Sequence, residues 1–215
     1  DVATVTGIGN FKGDYLVIPQ SYCGALVRAI ADDAFANSKI KTVEIPYKVA
    51  TIGKNAFYGC KKLSSVTLGA NVTTIGNSAF QNCIALKKIT IPSKVKTIGT
   101  KAFYGCKKLS TVTMGNNVET IGNSAFQNCT ALKKITISSK VKKIGSKAFY
   151  GCKSLPNITI KTTKLNTSKV GKQAFTKAGS SNYKKLTVKV PKKKLKAYKT
   201  MLKKRGLSTK AKVKK

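Results

Sequence analysis

The sequence predicts a parallel β-solenoid, a stack of similar rungs that each contribute one short strand and one helical or 3₁₀ turn. Three observations carry this expectation. Phe57, Phe80, Phe103, Phe126 and Phe149 stand 23 residues apart. Cys60, Cys83, Cys106, Cys129 and Cys152 keep the same interval without a slip. The apolar frame Ile75, Ala79, Phe80, Cys83, Leu86, Ile89, Ile91 and Val95 returns in the next unit as Ile98, Ala102, Phe103, Cys106, Leu109, Val112, Met114 and Val118. A fixed period of this length marks units that cannot bury their apolar face alone and must stack to form a core.

The elements follow in order. Residues 15–18, closed by Pro19, form the first candidate strand, and residues 40–45, closed by Pro46, the second. In the full units, residues 89–91 and 112–114 alternate inward and outward, which marks one strand per unit. The run Ala79-Phe80-x-x-Cys83-x-x-Leu86 steps by three and four, so it suits a helical or 3₁₀ turn with Phe, Cys and Leu inward. Such a turn is too short to persist without neighbours. The Ile-Gly pair ahead of it is read as the point where the chain turns. Asp32-Asp33, just before Ala34-Phe35, reads as a local cap.

The end units deviate, as capping repeats do. Phe35 precedes Phe57 by only 22 residues, and Phe149 to Phe175 spans 26 with no cysteine following. The last strand falls at residues 186–190, closed by Pro191, for about seven to eight rungs in all. Leu195, Tyr198 and Leu202, with Met201 and Leu207 near the same stripe, predict a capping helix over about 192–205 that stops at Gly206 and leaves a loose tail. The expected organisation is therefore an N-terminal capping segment (1–24), a solenoid (25–190), and a basic helix with tail (191–215). A longer period overlies the short one. Residues 53–98 and 99–144 are nearly the same text, which argues for a repetitive surface rather than one tailored pocket.

Composition narrows the partners. The chain has 215 residues, 41% of them hydrophobic, enough to fill a core. Forty-two basic residues face six acidic ones, with no histidine, for a formal charge of +36. That imbalance points to anionic partners or surroundings. Residues 184–215 hold 15 basic side chains and no acid. No apolar run is long enough to span a bilayer, and the chain begins at Asp1, as a processed product would.

Two outward columns on the strands are candidate binding positions. One is Thr67, Thr90, Thr113, Thr136 and Thr159; the other includes Lys88 and Lys134 among Thr42, Ser65, Thr111 and Asn157. A threonine ladder presents a row of hydroxyls, and β-branched residues also stabilise exposed strands by packing rung on rung. Lysine pairs recur at Lys61-Lys62, Lys87-Lys88, Lys107-Lys108, Lys133-Lys134 and Lys142-Lys143, and are expected to form rows on one side of the rod. Such rows concentrate anions, and salt should weaken the effect. They also serve solubility.

Several chemistries find no support. Arg28 and Arg205 are the sole arginines, whereas base readout and stacking favour arginine and aromatics, so no specific nucleic-acid recognition is expected. The cysteines lack the close pairing of a zinc site, and they read as a buried column of free thiols with Cys23 outside it. No cofactor is expected. Without histidine, and with Asp1, Asp14, Asp32, Asp33, Glu44 and Glu119 unpaired in sequence, neither is catalysis.

The stretch Ile-Gly-x-x-Ala-Phe-x-x-Cys-x-x-Leu-x-x-Ile-x-Ile-Pro, as it stands from Ile75 to Pro92, resembles the repeat of the BspA-like leucine-rich repeat surface proteins of gut and oral bacteria. The match covers about residues 25–190. The resemblance implies a leucine-rich repeat solenoid of the α/β type, exported to the cell surface or the extracellular medium, which binds host or bacterial surface proteins and brings no catalytic residues. The end from Pro191 resembles the short ending that follows such repeats in some proteins of Gram-positive anaerobes. Two readings stand side by side: a monomeric adhesion module, or a spacer that holds anionic glycan or wall polymer while another domain does the specific work.

Overall fold

The computed structural model describes residues 1–215 as a parallel β-solenoid closed by one short C-terminal helix. Nine strands stack along one side: Tyr15–Val17, Thr42–Glu44, Ser65–Thr67, Lys88–Thr90, Thr111–Thr113, Lys134–Ile137, Asn157–Ile160, Thr187–Lys189 and Lys212–Lys214. Their ladders are parallel and in register, with Thr111 opposite Lys88 and Thr113 opposite Thr90. The ladder is interrupted between Ser65–Thr67 and Lys88–Thr90, which remain neighbours in the stack.

Each central rung carries a second strand, not the single one expected. Thr51–Ile52, Thr74–Ile75, Thr97–Ile98, Thr120–Ile121 and Lys143–Ile144 pair in parallel and extend a sheet begun by Val2–Val5 and Ala25–Ile30. Two residues are too few to show a period of two, so only stacking reveals them. Ser21–Tyr22 folds back antiparallel on Ala25–Ile30 at the N-terminal end.

The third side is built of turns that share their hydrogen bonds between rungs. Ala79, Gln81 and Cys83 donate their N–H groups three residues back, in 3₁₀ fashion, to Gly76, Ser78 and Phe80. The intervening amides of Ser78, Phe80 and Asn82 instead donate to Thr100, Ala102 and Tyr104 on the next rung, each at 2.8 Å. Of 131 backbone hydrogen bonds, 99 lie outside the strand and helix ladders, and those of the turn amides that cross between rungs add to the hold of the sheets. Inside, 58 buried residues form one continuous core. The phenylalanines stack face to face from Phe35 to Phe175, with ring centroids 5.0 to 5.6 Å apart.

The Ile-Gly glycines serve close packing, which corrects their reading as chain-turning residues. None of Gly53, Gly76, Gly99, Gly122, Gly145 and Gly171 has a positive φ. A Cβ on Gly99 would lie 2.6 Å from the carbonyl carbon of Gly76, so only hydrogen fits between rungs. Asp32 likewise caps no turn of its own: its carboxylate accepts from the Lys54 amide of the next rung at 2.6 Å. Asn77 and Asn123 do the same for the amides of Thr100 and Ser146.

The longer, two-rung period has a steric cause. Asn37, Gly59, Asn82, Gly105, Asn128 and Gly151 occupy successive rungs at positive φ. A Cβ on Gly105 would sit 2.5 Å from Oδ1 of Asn82, so an Asn side chain on one rung requires glycine on the next. At Gly115 the crowding comes from backbone instead of a side chain: a Cβ there would lie 2.9 Å from the Ile91 carbonyl oxygen and from the Pro92 carbonyl carbon.

The helix Leu195–Lys204 buries Tyr198, Met201 and Leu202 against the last rungs. The Tyr198 hydroxyl donates to the Thr162 carbonyl at 3.0 Å and accepts from the Leu165 amide at 3.2 Å. At the helix end, Leu207 N–H returns to Leu202 O and Gly206 N–H to Lys203 O, with Gly206 at φ +93°, a Schellman arrangement. Residues 206–215, expected to be loose, are ordered beyond this stop. Lys212–Lys214 adds a parallel strand to Thr187–Lys189, with Val213 opposite Val188 against the core.

Candidate functional site

The long-strand side places the expected columns together. Strand register aligns Glu44, Thr67, Thr90, Thr113, Thr136, Thr159 and Lys189 in one outward row, and Thr42, Ser65, Lys88, Thr111, Lys134 and Asn157 in the other. Thr67, Thr90 and Thr113 are exposed, whereas Thr136 and Thr159 are half-buried. Ile89, Val112, Ile135 and Ile158 point the other way into the core, so the alternation that fills the interior also aims the threonines outward.

The lysines adopt a different pattern from the single set of rows expected. Lys61-Lys62 and Lys107-Lys108 lie on the corner between turn and strand, and on the rung between them those places hold Ile84-Ala85. Lys87-Lys88 and Lys133-Lys134 occupy the intervening rungs, displaced three residues along the chain. Like charges in one column therefore sit two rungs apart, about 9.6 Å by strand spacing. That exceeds the Debye length of about 8 Å at physiological salt, so repulsion along a column is largely screened, while the two lysines of each consecutive pair stay close. Lys142-Lys143 lies elsewhere, at the short-strand side.

Charge is also divided along the axis. Residues 1–50 carry five basic and five acidic side chains, so the whole +36 falls on residues 51–215, where Glu119 is the sole acid. Four acids have partners within the fold. Asp14 pairs with Lys41 at 2.7 Å, Glu44 accepts from the Tyr15 hydroxyl, Asp32 holds the Lys54 amide, and Glu119 pairs with Lys142 at 2.7 Å. Lys142 holds the Glu119 carboxyl below its ordinary range.

The cysteines form the buried column expected of them. Cys83, Cys106 and Cys152 donate Sγ–H to the carbonyls of Phe57, Phe80 and Phe126 at 3.1 Å. The thiol thus satisfies a buried carbonyl that also accepts a turn amide, which alanine could not do. Burial pushes the Cys106 and Cys152 thiols up to about 12, and raises Cys83 and Cys129 well above their ordinary value. Cys23, at the tip of the N-terminal hairpin, is exposed. Iodoacetamide at about pH 8 is expected to modify Cys23 alone in the native protein, because reaction requires an accessible thiolate. Mass spectrometry of intact protein reads this directly; a second adduct before denaturation would contradict the sealed column.

Sequence reading missed one outward row, Thr51, Thr74, Thr97 and Thr120, which the short strands align in register. The recurrence of Thr ahead of Ile-Gly at 23-residue spacing was the available signal.

Comparison with known proteins agrees with this architecture. A profile of the BspA type leucine rich repeat region matches in six copies over residues 28–155 and 121–204. The chain is similar to the solved leucine rich repeat protein of T. pallidum, with 26% identity over 94% of this chain and 88% of that one and a TM-score of 0.76. A leucine-rich repeat protein from Bacteroides ovatus is 25% identical over 97% of this chain and 62% of its own, with a TM-score of 0.59. A leucine rich cell surface protein from Faecalibacterium prausnitzii, 24% identical over 91% of this chain and 63% of its own, shares the fold with a TM-score of 0.54. No curated protein matches the sequence. Repeat frame, stacked cores and matched residues together make this chain a member of the BspA-type leucine-rich repeat family.

Proposed function

We propose that the chain is a non-catalytic interaction module of a bacterial cell surface, which holds a protein partner on its long-strand side. The observation that carries this reading is the extended outward surface of in-register strands, where the threonine row and the strand lysines Lys88 and Lys134 line none of the principal concavities. A flat, extended polar surface offers area to a macromolecule and little enclosure to a small substrate. Family membership supports a surface interaction role. A monomer suits the reading, since one rod presents the whole surface.

The test is binding of the intact chain to immobilised host matrix and bacterial surface proteins at physiological salt. Replacing Lys88 and Lys134 by Glu, together with Thr90→Glu and Thr113→Glu, is expected to weaken capture at least about tenfold by opposing the partner's charge complementarity. Unchanged capture by this quadruple variant would sink the assignment.

A second reading has its own observation. The staggered corner lysines Lys61, Lys62, Lys107 and Lys108 suit retention on anionic wall polymer, with specific work done by another domain. If substituting these four by Glu released the chain from purified cell wall while leaving protein capture intact, the spacer role would be established.

A further inference from the structure

The short-strand side differs from the flat one in being a trough. Concavities of about 540, 520 and 200 Å³ adjoin there and share lining residues, Lys94 and Lys96 between the first two and Thr97 and Asn77 between the first and third. Together they run across four rungs, about 14 Å between end strands. Thr74, Thr97 and Thr120 form the floor, one hydroxyl per rung. Ile75 is the one hydrophobic residue among the lining of the first two concavities; the rest of their carbon surface comes from threonine methyls, lysine stems and backbone, the kind of mixed surface on which a sugar ring can rest between charged groups.

One wall carries lysines in ordered positions. Lys94 donates to Asn71 Oδ1 at 2.5 Å and Lys140 to Asn117 Oδ1 at 2.6 Å. These acceptors are neutral, so they orient the ammonium groups without cancelling their charge. In the adjoining column, Lys96, Glu119 and Lys142 follow on successive rungs. Glu119, the one acid of residues 51–215, lies in the same trough and takes up Lys142. A lone carboxylate between two lysines, on an otherwise cationic surface, is a resident counter-ion.

We propose that this trough is a second binding site, for a linear glycan bearing regularly spaced carboxylate or sulfate groups, and that Glu119 occupies an anion position that the ligand competes for. The threonine floor meets the sugar hydroxyls, and the lysine wall meets the acidic groups at two-rung intervals. A nucleic acid fits less well, since neither arginine nor an exposed aromatic lines the trough. The site is independent of the long-strand surface proposed to hold protein.

Isothermal titration at physiological salt with heparin oligosaccharides, polygalacturonate, neutral dextran and single-stranded DNA tests the proposal. Exposed lysines are chosen so that folding, checked by thermal melting, is retained. Triple substitution of Lys94, Lys96 and Lys140 by Gln is expected to weaken binding of the acidic glycans on the order of tenfold, by removing local cationic potential. Glu119→Gln frees Lys142 and is expected to tighten it several-fold. Dextran should not bind. Heparin and polygalacturonate, as separate arms, tell sulfate from carboxylate recognition. The proposal is overturned if the triple variant binds like the parent, if Glu119→Gln leaves affinity unchanged or weakens it, or if DNA binds equally tightly with the same sensitivity. Lys88→Glu with Lys134→Glu should leave glycan affinity intact, which separates failure here from failure of the protein-binding surface.

Discussion

Phe103→Ala is expected to destabilise the protein by about 3–5 kcal/mol, the range for removing a fully buried aromatic ring. Phe103 is wholly inaccessible and lies between Phe80 and Phe126 at centroid distances of 5.4 and 5.3 Å. The space it leaves has little means of closing. The neighbouring rungs are held apart by their own hydrogen bonds, among them Phe80 N–H to Ala102 O and Phe103 N–H to Ala125 O, both 2.8 Å. In a solenoid each rung touches only its neighbours, so the loss falls on two interfaces at the middle of the stack. Urea denaturation followed by circular dichroism should show a lower midpoint and a broadened or split transition, because the two halves lose their coupling. A loss below about 1 kcal/mol, typical of a tolerant site, would mean the phenylalanine column is not the central support.

Gly99→Ala, which adds one methyl group, should cost about 3 kcal/mol or more, the upper end for overpacking, because every close contact is to backbone. The new Cβ would lie 2.6 Å from both the carbonyl carbon and oxygen of Gly76 and 2.8 Å from the Asn77 amide nitrogen. These are backbone atoms held by the ladder, so relief requires separating two rungs. Gly24→Ala is the informative comparison. Gly24 has φ +80° and no atom within 4 Å of the place a Cβ would take, so its substitution meets only the left-handed backbone penalty, about 1–2 kcal/mol, at a hairpin tip. The core variant should lower the chemical-denaturation midpoint clearly more than the hairpin variant. Equal losses would remove close approach as the reason for the Ile-Gly column.

The repeat made much of the interior legible. Counting by 23 placed Phe57, Cys60 and Leu63 and their successors inside and the long-strand threonines outside, and each of these buried positions is fully inaccessible. Where the structure departs from the sequence reading, the missing quantity is a contact between rungs. Thr97 and Ile98 form a strand only because Thr74 and Ile75 lie alongside. Lys212–Lys214 showed no sign of order, being short and mostly lysine, yet Val213 finds a place beside Val188. The lysine pairs looked like one array, but a column is defined by stacking, and stacking put successive pairs in different columns. The trough beside Thr74, Thr97 and Thr120 escaped notice because its walls come from separate parts of each rung.

By itself the sequence determined the unit, its inward face and the family, because a 23-residue register repeated with the same apolar residues admits only a stack that buries them. It also determined the charge, which no fold can change. The tertiary structure decided how the rungs meet. Contacts between rungs set glycine against the Asn82 side chain and against the Pro92 backbone, and stacking placed the lysines of one column two rungs apart and left one polar side flat and the other grooved. Distances between rungs are properties of the stacked chain, and a single unit, however clearly written, does not contain them.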